Sequence, residues 1–237
     1  YAYRDYDTEN GVSLYADDRS GGIQGFPGIG PQSAVDESRD VFSIYLDTEY
    51  EWDNFTLNSA LRFDEYDGFG DTTNFKLAGN YSVTDTLSLR GAVSTGFRAP
   101  SMQQLYFNNV STQFVADGMG GLIAQEVGTF RNDSTLAQAI GIPQLKEEES
   151  TNFSFGVVTE LGGVDLTVDY YSIDIDDRIV ISNRLGTGLS ATLDAALLSA
   201  GAGAGQFFLN GADTETTGVD IVATYGGTEV SGRSEER

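Results

Sequence analysis

The sequence predicts an all-β chain of antiparallel, up-and-down strands forming part of a transmembrane β-barrel, and three features predict it. Apolar and polar residues alternate along successive segments, the joins between segments alternate between short turns and long loops, and aromatic residues gather in two belts along the apolar stripe. A strand presents successive side chains to opposite faces of its sheet, so strict alternation implies one apolar face and one wet face.

The first forty residues read as a strand followed by a loop from about 8 to 40. In "VFSIYLDTEYEW", Phe42, Ile44, Leu46, Thr48, Tyr50 and Trp52 share one face, while Ser43, Tyr45, Asp47, Glu49 and Glu51 share the other. After an Asp53-Asn54 turn, Phe55, Leu57, Ser59, Leu61 and Phe63 oppose Thr56, Asn58, Ala60, Arg62 and Asp64. Phe75, Leu77, Gly79, Tyr81 and Val83 then oppose Asn74, Lys76, Ala78, Asn80 and Ser82. Beyond a turn at 84–86, Leu87, Leu89, Gly91, Val93, Thr95 and Phe97 oppose Ser88, Arg90, Ala92, Ser94 and Gly96. Further strands are expected over 151–161, 164–174 and, more weakly, 219–225, with Gly162-Gly163 and Gly226-Gly227 as tight turns.

The remaining joins, about 67–72, 98–149 and 178–206, are long, so short turns fall at one end of the sheet and long loops at the other. The segment 98–149 reads as some fifty residues of largely irregular chain opening at Arg98-Ala99-Pro100. Proline supplies no ladder N–H and disfavours helix at the residue before it, so the strand stops there. Two short helices are expected in these loops: Ser134 can cap "TLAQAI" before Gly141, and Ser190 can cap "ATLDAALLSA" before Gly201. "GAGAG" at 201–205 reads as a flexible linker, because Gln206 breaks any GxGxxG phosphate loop and no basic residue is near.

Tyr50, Trp52, Phe55 and Tyr81 flank the short turns, and Phe42, Phe63, Phe75 and Phe97 flank the long loops, all on the apolar face. Phe42 and Trp52 are ten residues apart, roughly 23 Å of height at a tilt of about 45°. A membrane barrel carries an apolar band of about 25 Å between two aromatic girdles. A soluble β-sandwich that binds carbohydrate shares the alternation but turns its apolar face inward. The small residues Ala78, Ala92 and Gly96 among the charges of the polar face favour a wet lumen with room for a channel or plug. Seven to nine strands are present, and the charged end "TYGGTEVSGRSEER" lacks a terminal strand, so the chain reads as one piece, residues 1–237, of a larger barrel.

Composition removes most other functions. With 36 acidic and 13 basic residues the net charge is −23, which opposes binding to nucleic acid phosphates. Cysteine and histidine are absent, so disulfides, thiolate metal sites and imidazole catalysis are excluded. No carboxylate pair is isolated by spacing for acid–base work, so no enzyme, catalytic residue or cofactor is expected. No apolar run is long enough for a transmembrane helix. The acidic clusters Asp5-Asp7-Glu9, Asp17-Asp18, Glu147 to Glu149 and Asp174-Asp176-Asp177 read as solvated loops rather than calcium sites. The first has Asn10 where an EF-hand needs glycine and Ala16 where it needs glutamate.

"GFRAPS" (96–101) followed by Gln104-Leu105-Tyr106, "LKEEESTN" (145–152) and "FFLNGADTETTGVDI" (207–221) occur in this order. Together they resemble three segments of TonB-dependent outer-membrane receptors, over roughly residues 40–226. Glu147 stands where that family usually has proline, and Asp220 where it usually has glutamate. The resemblance implies a barrel of twenty-two strands with long extracellular loops, short periplasmic turns and an N-terminal plug. It also implies energised uptake of a ferric siderophore, cobalamin or oligosaccharide through a TonB-type coupling protein in the outer membrane of a Gram-negative bacterium. Candidate ligand contacts on the loops are Phe69, Arg98, Tyr106, Phe107 and Phe114, with Arg98 placed to hold loop carboxylates. A passive porin-like channel is the alternative within the membrane class.

Overall fold

The computed structural model describes residues 2–8, 34–67, 70–116 and 118–225. In chain order the elements are β1 (Ala2–Thr8), β2 (Val35–Trp52), β3 (Phe55–Tyr66), β4 (Gly70–Thr84) and β5 (Leu87–Arg98), followed by α1 (Met102–Tyr106), β6 (Asn109–Ala116), β7 (Leu122–Thr129) and α2 (Thr135–Ala139). Then come β8 (Glu148–Leu161), β9 (Val164–Ile181), β10 (Leu185–Gly186), α3 (Ala191–Ser199), β11 (Ala204–Gln206) and β12 (Phe208–Tyr225).

Eight strands form one antiparallel sheet in the order β1-β2-β3-β4-β5-β8-β9-β12, so every strand lies beside its sequence neighbour once the long excursions are set aside. The register keeps the predicted sidedness across the sheet. Glu49, Asn58, Ala78, Ala92, Ser154, Tyr171 and Gly218 are successive cross-strand partners, forming one row of a polar face. Trp52, Phe55, Tyr81, Leu89, Val157, Val168 and Ile221 form a row of the opposite, apolar face.

Among the described residues nothing packs on the apolar face: Ile44, Leu46, Tyr50, Trp52, Leu61 and Ile221 are each more than half exposed. A soluble sandwich would bury such residues, so that alternative fails on this geometry. The short turns at 53–54, 84–86 and 162–163 form as expected, and the one at Gly226-Gly227 lies outside the described residues. Gly162 and Gly163, at φ +62° and +83°, provide the two left-handed residues of a type I′ hairpin.

Two expectations are corrected. The strands run further at the loop end than the alternation suggests: β2 begins at Val35, β9 continues to Ile181 and β12 starts at Phe208. Each has 18 residues, roughly 60 Å of strand. The extensions carry carboxylates such as Asp176, Asp177 and Asp213, so apolar alternation fades while ladder hydrogen bonding continues.

The long loops, moreover, are not irregular. The excursions over 99–147 and 182–207 fold together as a cap with its own four-stranded sheet, ordered β10-β11-β7-β6, in which β11 pairs parallel to β7. Val110, Phe130, Leu136, Ala137, Leu193, Leu197, Ala202 and Phe207 make its buried core. The predicted helices α2 and α3 are there, each with its serine, Ser134 or Ser190, accepting a hydrogen bond from the third residue inside. "GAGAG" is not a linker: Ala202 and Ala204 are buried, and Ala204–Gln206 is a cap strand. The Phe130 ring occupies the space where a Cβ on Gly128 of the neighbouring strand would lie, and it comes within 3.2 Å of where one on Gly205 would lie.

Candidate ligand-facing mouth

At the loop end of the polar face the cap is moored to the wall. Arg39 of β2 shares that face with Val41 and Ser43, and it is buried. Its Nη1 donates to the carbonyl of Pro100, itself fully buried, at 2.8 Å. The guanidinium lies 5.3 Å from the centre of the Tyr66 ring, and Tyr66 meets Phe97 edge to face at 5.6 Å. One row below, Asp64 has no exposed surface. It accepts two charge-assisted bonds from Arg62, at 2.8 Å from both Nε and Nη2, and one from Ser43 Oγ at 2.5 Å.

The first turn of the cap repeats the pairing. Ser101 caps α1 in a reciprocal box with Gln104, which brings Tyr106 beneath Arg131, 5.0 Å from its ring centre. Arg131 is held by Asp133 at 2.6 Å, and that bond raises the guanidinium pKa further above its ordinary value. The Tyr106 phenol is also shifted up, first by burial and then by the Glu37 and Asp133 carboxylates, against the opposing pull of Arg131 and Arg39.

A second mooring joins the other two motifs. Asn210 donates to the carbonyls of Lys146 at 2.9 Å and Asp177 at 2.7 Å, and it accepts from the Lys146 N–H at 2.9 Å. Lys146 Nζ pairs with Asp177 at 2.5 Å, which raises the ammonium pKa. Arg98 faces Glu148 across the β5–β8 ladder, at 3.4 Å, and Glu148 also accepts from the Ile179 N–H at 2.8 Å. The motif residues Pro100, Lys146 and Asn210 are thus used to fasten loops to strand tops.

Further down the polar face, Arg90 and Asp169 meet above Gly156, which lies between them in the register. The Tyr171 hydroxyl likewise fills the space over Gly218, and Ser150 Oγ that over Gly96. Small residues on this face therefore admit neighbouring side chains as well as leaving a groove of about 230 Å³ beside Asn58, Ala78, Ala92 and Ser154.

Of the sequence-derived ligand candidates, Arg98 and Tyr106 lie in these moorings. Phe107 ends α1 and is half-buried, Phe114 is exposed on the cap hairpin, and Phe69 lies outside the described residues. Among the aromatics assigned to the belts, Phe42, Tyr50, Trp52, Phe75 and Tyr81 are exposed on the apolar face, Phe55 and Phe63 are half-buried, and Phe97 turns to Tyr66. Arg39, Tyr66 and Arg131 escaped sequence reasoning. The signal for Arg39 was its phase: an arginine among acidic residues, aligned with the polar-face positions of the strand that follows. Groups of carboxylates able to hold a metal ion are absent among the described residues.

The family model described as TonB dependent receptor-like, beta-barrel matches residues 1–233. The vitamin B12 transporter BtuB of Photobacterium profundum is 27% identical over 172 residues, covering 70% of this chain and 23% of the transporter. BtuB of Vibrio vulnificus is 23% identical over 150 residues, covering 63% of this chain and 19% of the relative. Among solved structures, the ferric enterobactin receptor PfeA of Pseudomonas aeruginosa, in a mutant complex with enterobactin, superposes with a TM-score of 0.62 at 18% identity, covering 92% of this chain and 29% of the receptor. The siderophore receptor PirA of the same organism gives 0.59 at 15% identity, covering 81% of this chain and 32% of PirA. The chain thus spans about a fifth to a quarter of the curated relatives it matches.

Proposed function

Because this chain belongs to the TonB-dependent receptor-like β-barrel family, we propose that it forms part of an outer-membrane receptor. The receptor captures a scarce nutrient outside the cell and imports it with energy from a TonB-type coupling protein. One observation carries the reading: a continuous sheet with an exposed apolar face and a polar face, whose loop end is roofed by a cap fastened to the polar side through Arg39 and Pro100. Lipid would cover the apolar face, with the exposed aromatics as girdles. Because β1 and β12 each have one open edge in the described sheet, further strands would complete the cylinder that a bilayer demands.

The sequence relatives are vitamin B12 transporters, which puts cobalamin first among the substrates to test. The siderophore receptors support the fold alone. Uptake in a strain lacking the full-length receptor, offered cobalamin, iron chelates and glycans separately, tests the reading. Loss of one nutrient's uptake, matched by loss in a strain without the coupling protein, is expected. Uptake that persists without the coupling protein would instead establish a passive channel.

A further inference from the structure

The wall carries a fissure at its loop end. Strands β3 and β4 stay paired up to Tyr66 and Gly70, and β5 and β8 up to Arg98 and Glu148. The β4–β5 ladder stops lower, at Lys76 and Ser94, and just above it the Phe75 N–H donates to a side chain, Thr95 Oγ1, at 3.1 Å. The mooring of the cap explains the parting. Arg39 holds Pro100 on the polar side, and Phe97, which belongs by phase to the apolar face, meets the polar-face Tyr66, so the top of β5 is drawn inward from β4.

Among the described residues nothing pairs with that edge of β4 from Gly70 to Thr73, and Asp71 and Thr73 are exposed on it. Phe75 directs its N–H toward β5, and the strand's period of two puts the N–H and C=O groups of Thr73 and Asp71 on the same open side. Unpaired ladder groups are a template for another strand. Within the fissure lies a cavity of about 330 Å³ whose lining holds four carboxylates, Asp71, Glu147, Glu149 and Asp176, and no basic residue. Glu149 and Asp176 are direct cross-strand partners, a pairing of like charges that an arriving cation would relieve. A second copy of this chain would bring further negative charge to the same edge, so charge selects an occupant of opposite sign.

We infer that the open edge of β4 docks an extended segment of a partner protein as an added strand, its ladder groups on Asp71 and Thr73 and its lysine or arginine side chains against Asp71, Glu149 and Asp176. The inference concerns what the receptor docks, not what it imports, and stands apart from the uptake reading.

Fluorescence anisotropy with the purified full-length receptor tests it, using three labelled hexapeptides: alternating lysine and threonine, alternating glutamate and threonine, and the lysine peptide methylated at every backbone amide. The lysine peptide is expected to bind, and the other two to bind at least about tenfold more weakly, one for want of charge complementarity and one for want of ladder donors. Asp71→Asn should weaken the lysine peptide about two- to fivefold at low salt, with the difference vanishing at high salt. Thr73→Pro removes an edge donor that points away from β3, and should weaken it about three- to tenfold while hydrogen exchange shows the β3–β4 ladder intact. No binding of the lysine peptide, equal binding of its methylated form, or full affinity in Thr73→Pro with an intact ladder would overturn the inference. If Thr73→Pro loses the ladder, the methylated peptide and Asp71→Asn decide.

Discussion

Arg39 shows how one side chain fixes the relation of loop to wall. Its hydrogen bond reaches across 61 residues of sequence to the carbonyl of a fully buried proline. Arg39→Ala leaves that carbonyl without its donor and removes the stack on Tyr66, a loss of about 2–3 kcal/mol in cap attachment. Proteolysis of the full-length receptor should then cut faster within 101–147, and an unchanged rate would show that the mooring lies elsewhere. Tyr106 gives a pH test outside the strands. Its phenol pKa is raised by burial and by Glu37, so stability from this group is complete below the ordinary value of 10.0 and is lost as pH rises through the higher folded value. Subtracting the tyrosinate absorbance of Tyr106→Phe from that of the parent isolates this phenol. It should ionise on the alkaline side of ordinary tyrosine, and ionisation at or below that range contradicts the burial described.

At the scale of elements, what the sequence disclosed and what it concealed have separate physical causes. Ser134 and Ser190 were legible because capping needs only a side-chain oxygen just ahead of a helical run. Helix α1 has five residues, too few for periodicity, and it was hidden in the stretch read as irregular chain; its Ser101–Gln104 capping box came from the structure. The cap strands β10 and β11 have two and three residues, and β11 pairs with β7 some seventy-seven positions away, so local pattern carries no trace of them. The cap stands on tertiary packing, which makes it separately breakable. Leu197, with no exposed surface in the cap core, should cost about 2–5 kcal/mol on truncation to alanine. Hydrogen exchange should then accelerate in β6, β7 and α3 while the β3–β4 and β8–β9 ladders keep their protection. Equal acceleration in both would mean that cap and wall unfold as one unit.

At the scale of the molecule, alternation carried most of the fold, because a period of two leaves each residue a single face once a strand's direction and phase are set. It revealed which residues share a face, yet it was silent on what covers that face; exposure of the apolar rows is the structural contribution. Leu77 and Ala78, adjacent near the middle of β4, make the test of sidedness, since they differ in face but not in height. Arginine at 77 would place a charge against hydrocarbon, at a cost of about 2–4 kcal/mol near a bilayer midplane, whereas arginine at 78 would enter the groove beside Asn58 and Ala92 and keep its water. Reversible folding of the full-length receptor into vesicles should therefore be weakened by Leu77→Arg far more than by Ala78→Arg. If the two lose equal stability, the apolar face does not touch lipid; if Ala78→Arg loses more, the faces are reversed and the polar wall encloses no water.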